Sequence, residues 1–165
     1  MTTPTPTPTP SPAPSLDDDL QGAVLAALGT EHAAVWVYGL VSAFVPASTA
    51  STVTAAALAH RERRDAVVAL LARTGVTPPP GAAAYRPPSP VTDAASAAAL
   101  AAVAEDDVAA AWRAVAERTE PDTGGELRGL ALDALTAAAT TSVTWRGLAG
   151  RTPLVPAFPG DGTAT

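Results

Sequence analysis

Apolar residues recur at Leu20, Val24, Ala27, Leu28, Val35, Tyr38 and Val45, a helical spacing that places them on one face. Asp17, Asp18 and Asp19 stand just before this stripe, where side-chain oxygens and negative charge favour a helix start. Pro46 closes the segment, and Ser48 to Thr52 form a short polar turn. A second stripe, Val53, Ala57, Val67, Val68 and Leu71, predicts a helix from about Thr52 to Arg73, with Gly75 as the residue just past its end. A third, Leu100, Val103, Ala104, Val108, Ala111, Trp112 and Val115, predicts a helix capped by Thr92 or Asp93 and running to about Arg118. Pro121 to Gly125 read as a tight turn. A fourth helix spans about Glu126 to Leu148, with Leu127, Leu130, Ala131, Leu135, Ala138 and Trp145 facing inward. Gly150 and Pro153 end it, and the apolar stretch Leu154 to Gly160 is expected to pack over one end of the bundle.

The connections decide the topology. Residues 1 to 16 alternate Pro with Thr or Ser, a composition expected to stay extended, as a solvated tail rather than a docking peptide. Val76 to Asp93 holds six prolines and cannot be a regular helix. A proline strap is stiff and reaches roughly 3 Å per residue, enough to run from one end of a bundle to the other. Two short connections and one long central one predict an all-α, ferritin-like four-helix bundle over residues 17–160, with helices two and three parallel and a flexible end at 161–165.

Composition supports this reading. Ala makes up about a quarter of the 165 residues, far above ordinary usage, and it is the best helix former. The absence of Cys excludes disulfides, thiolate metal sites and thiol catalysis. All ten basic residues are Arg, and the net charge of −6 argues against nucleic acid as a partner. The opening residues lack the basic start and apolar core of a signal peptide, and no charge-free run of 18 apolar residues suggests a membrane span. The expected location is the cytoplasm.

Four segments carry a family resemblance: Thr30 to Gly39 (TEHAAVWVYG), His60 to Asp65 (HRERRD), Ala104 to Val115 (AEDDVAAAWRAV) and Ala157 to Gly160 (AFPG). In order and spacing they resemble the actinobacterial ferritin-like proteins of the DUF4439 family. The resemblance implies a ferritin-like fold in a cytoplasmic bacterial protein and brings no activity with it.

A di-iron bundle needs an inward Glu from two helices and Glu-x-x-His from each of the other two. Glu31 lies on the apolar face of the first helix, and His60 lies in line with Val53, Ala57, Arg64, Val67 and Leu71 on the second. Ala57 stands where a Glu-x-x-His pair needs its Glu. The third helix offers Glu105, Asp106 and Asp107, with Glu105 or Asp107 at the seam. The fourth has no His, and Thr140, Thr141, Ser142 and Thr144 fill the stretch where ligands belong; such hydroxyls bond back to the backbone instead. Two irons would be under-coordinated. The expectation is therefore a buried polar network of Glu31, Tyr38, His60, Arg64, Asp65 and Glu105 in a non-catalytic protein without a cofactor, acting through a partner protein or self-association. Trp36 and Trp112 then serve as a homodimer seam or as core. The alternative is a metal-binding oxidoreductase or iron-handling protein, with iron or manganese held by Glu31, His60 and Glu105.

Overall fold

The computed structural model describes residues 16–120 and 125–161. The Pro-Thr tail expected over residues 1–15, most of the turn at 121–125 and the end beyond 161 lie outside the described residues. Four helices are present: α1 (Asp18–Val41), α2 (Ala50–Arg73, preceded by a one-turn 3-10 helix at Ala47–Thr49), α3 (Ala94–Arg118) and α4 (Gly125–Leu148). Among the described residues there is no strand.

Local chemistry fixes the ends. Asp17 Oδ1 accepts from the Leu20 N–H at 2.8 Å and starts α1. α1 stops at Val41, short of the expected run to Val45, because the backbone before Pro46 tightens into shorter bonds such as Phe44 N to Val41 O. Gly75, at φ +79°, makes the left-handed exit from α2. Asp93, rather than Thr92, caps α3, and Ser96 answers it in a reciprocal capping box. At the far end of α3, the Arg128 guanidinium donates to the Ala116 and Thr119 carbonyls at 2.6 and 2.7 Å, groups that a helix C-terminus leaves unpaired.

Side-chain contacts give the helix directions. Glu31 meets Trp112, and Tyr38 meets Glu105. As the number rises along α1 it falls along α3, so the two are antiparallel. α1 is also antiparallel to α2 through their short connection, which leaves α2 and α3 parallel, as the strap requires. The strap lies along α1: Gly81 abuts His32, and Tyr85 packs on Trp36. The expected all-α four-helix order with one long proline crossover is the one observed.

Buried Ala97, Ala98, Ala101, Ala102 and Ala104 let α3 approach its neighbours closely. The core falls into two apolar layers. One gathers Val24, Leu28, Val67, Leu71, Val108 and Trp112, with Ala131 and Ala138 of α4. The other gathers Val37, Val41, Val53, Ala57, Leu100 and Trp145. On α2, α3 and α4 the change of layer falls where a buried polar residue stands, at His60, Glu105 and Ser142. By length and mean hydropathy α1 is also apolar enough to cross a membrane; in this fold it is the core helix packed on both α2 and α3.

Candidate functional site

Between the two layers lies a cluster built by all four helices. Glu31, His60 and Glu105 are each 1% exposed or less. The His60 ring bridges the two acids: Nδ1 is 2.7 Å from Glu31 Oε2, and Nε2 is 3.2 Å from Glu105 Oε1. The other Glu31 oxygen accepts from Arg63 Nε and from Trp112 Nε1, both at 2.7 Å. The Tyr38 hydroxyl donates to Glu105 Oε1 and accepts from Trp145 Nε1 at 2.7 Å. Glu31 and Tyr38 are seven residues apart on α1, as are Glu105 and Trp112 on α3. Seven residues make about two helical turns, so the acid of each helix faces the aromatic donor of the other.

The charges balance. Burial opposes charge on His60, but hydrogen bonds to Glu105 and Glu31 outweigh it and raise its pKa, favouring the imidazolium. Burial likewise opposes charge on Glu31, yet the His60 hydrogen bond and the Arg63 guanidinium hold its carboxyl below the usual range. Arg63 Nη2 also lies 2.7 Å from His60 Nδ1. That nitrogen cannot donate to Glu31 and accept from Arg63 at once. With the ring protonated it donates to Glu31, and the carboxylate holds both cations. Two carboxylates thus face one guanidinium and one imidazolium. Burial, the Glu105 charge and their hydrogen bond push the Tyr38 hydroxyl far above its ordinary range, so it stays protonated as a donor.

The structure brings together Glu31, Tyr38, His60 and Glu105 as expected, and it leaves out Arg64 and Asp65. Those two pair with each other on the outside of α2 at 2.8 Å, with Asp65 67% exposed. Arg63 takes the expected place of Arg64. Both arginines lie within about 60° of the His60 line on a helical wheel, so angle does not separate them; the position of Glu31 across the α1–α2 seam does. Sequence reasoning also missed Trp112 and Trp145 as members of the cluster. The available signal was that a buried indole N–H needs an acceptor.

The three acids of α3 part company. Glu105 enters the cluster. Asp106 accepts from Ser142 at 2.7 Å and from the Arg146 guanidinium of α4. Asp107 lies exposed on the outer side. Thr140 of α4 bonds back to its own helix, as expected, and so does Thr136, whereas Ser142 turns to Asp106.

A metal at Glu31, His60 and Glu105 does not fit this arrangement. Both imidazole nitrogens are engaged by carboxylates, and Glu31 spends one oxygen on a guanidinium and an indole. Among the described residues no group of three His, Cys, Asp or Glu side chains is arranged to hold a metal ion. One acceptor is spare: Glu105 Oε2 is buried without a partner.

The chain matches the family described as Domain of unknown function (DUF4439) over residues 23–163, and it belongs to that family. It is similar to the crystal structure of a conserved hypothetical protein, rv2844, from Mycobacterium tuberculosis. The two are 40% identical, with 81% of this chain and 99% of that one covered and a TM-score of 0.76. No curated protein matches the chain.

Proposed function

We propose that this member of the DUF4439 family is a non-catalytic, ferritin-like module whose central cluster sets helix register and whose surface works by association with a second copy or a partner protein. One observation carries the reading: two buried carboxylates are neutralised by Arg63 and His60, the charge a metal would otherwise supply. Such a cluster rewards one alignment of the helices, because sliding any of them would strand a charge in the core. Association draws on the tail, where Leu154, Val155 and Phe158 are exposed and Phe158 is 70% so.

Elemental analysis of natively purified protein tests the first half, with metal expected well below one equivalent per chain. Stoichiometric iron or manganese that Glu31→Ala and His60→Ala both abolish would overturn it. Sedimentation of the wild type and of Phe158→Asp tests the second, the wild type being heavier than one chain and the variant not.

The metal reading draws support from the free Glu105 oxygen and from the meeting of Glu31, His60 and Glu105. It requires Arg63 to leave Glu31 and His60 to release a carboxylate, at the cost of uncompensated buried charge.

A further inference from the structure

A cavity separate from the closed cluster lies between α1, α3 and the proline strap. Its volume is about 220 Å³. Val37 of α1 and Leu100 of α3 supply an apolar floor, and the strap from Tyr85 to Pro88 forms the outer wall. Trp36 and Tyr85 stand together in that wall, with ring centroids 5.9 Å apart and planes inclined by 53°. Tyr85 is held by its own strap, where the Ala82 N–H donates to the phenol oxygen at 3.2 Å. The aromatic corner is therefore preformed.

Asp107 lies at the rim of the same cavity. Its two neighbours are spent, Glu105 in the central cluster and Asp106 on Arg146. Among the described residues no guanidinium reaches Asp107 within ion-pair distance. Asp107 is exposed at its tip, yet the protein surrounding its carboxyl and the charge of Asp106 hold it above the ordinary range, so the carboxylate form gains from a counter-ion.

We propose that this cavity binds a small organic cation, with an ammonium group set between the Trp36 and Tyr85 rings and the Asp107 carboxylate and its apolar body against Val37 and Leu100. The faces of indole and phenol attract a cation through their quadrupoles, more strongly where water is excluded. The strap covers one side of the cavity, and the carboxylate at its rim supplies the opposite charge. Arg86 also lines the mouth and is exposed there. Its positive charge opposes a second cation and leaves room for affinity to rise when it is removed.

The test is an NMR titration of the full chain with benzyltrimethylammonium and with its uncharged isostere neopentylbenzene. The ammonium is expected to saturate and to bind at least about tenfold more tightly than the isostere, with shifted resonances confined to residues around Trp36, Tyr85 and Leu100. Asp107→Asn, a change at an exposed position, is expected to weaken binding about tenfold, and Arg86→Ala to tighten it severalfold. Trp36→Leu is expected to abolish binding; Tyr85→Ala, in the strap, makes the same test without touching a helix. Equal affinity for the isostere overturns the proposal, as does unchanged affinity in Asp107→Asn or a set of shifts mapping elsewhere. Tighter binding of phenylacetate than of the ammonium overturns it as well.

Discussion

The two carboxylate–cation centres on α3 begin one residue apart and differ in what they hold together. Glu105 turns inward to His60 and Tyr38, where all four helices contribute and no member of the bridge is more than 1% exposed. Asp106 turns toward α4, where Ser142 and Arg146 answer it in a pair whose Asp side chain is 26% exposed. The chemistry is alike: a carboxylate, a cation and a hydroxyl. The difference is burial. A dry cluster makes every missing partner costly, whereas water can stand in for a partner at a wetter one.

That contrast is open to breaking, most forcefully at Glu31. Glu31→Ala leaves Arg63 without its counter-charge and His60 with only one of its two, and the expected loss in chemical denaturation is about 3–5 kcal/mol. Asp106→Ala should lose less, about 1–2 kcal/mol, since the buried Arg146 keeps Ser142 Oγ and the Pro153 carbonyl as acceptors and the part-exposed Asp106 position admits water. Equal losses would mean that burial does not separate the two centres. Tyr38→Phe removes the donor to Glu105 and the acceptor of Trp145 together, with an expected cost of about 1–3 kcal/mol.

The pH profile sharpens the comparison. His60 titrates higher folded than its ordinary value of about 6.5, so its contribution to stability is complete below that pH and is lost as pH rises through the folded value. Glu31 runs the other way. Its folded pKa lies below the ordinary value of 4.5, so its contribution is complete above 4.5 and is lost as pH falls through the folded value. Thermal unfolding across pH should show both flanks in the wild type, and His60→Gln should remove the alkaline one. The smallest effect is expected from Arg64→Ala, which breaks only the outer pair with Asp65 and should leave Tm unchanged within error. Arg63→Ala, one residue away, should instead destabilise the bundle strongly.

Much of the fold was legible because its cues are local. The apolar stripes, the Asp17 and Asp93 caps, Gly75 and the six strap prolines act through their own helices or turns, and the four helices with their long crossover follow from them. Part of the cluster was legible too: Glu31 and His60 are polar residues on apolar stripes, which marks them as buried and in need of partners. The seven-residue spacing that pairs Glu31 and Tyr38 with Trp112 and Glu105 was present in the sequence, but it acquires meaning only once α1 and α3 are known to lie antiparallel in that register.

What the sequence determined by itself, then, was the set of helices, their connections and the inward placing of Glu31 and His60, since each of these is settled within a few residues along the chain. Only the tertiary structure decided that Arg63 enters the cluster while Arg64 leaves it, and that three consecutive acids on α3 meet three different environments. The reason is geometric: on a helix, neighbouring residues are separated by about 100°, and which neighbour finds a partner depends on where the next helix lies.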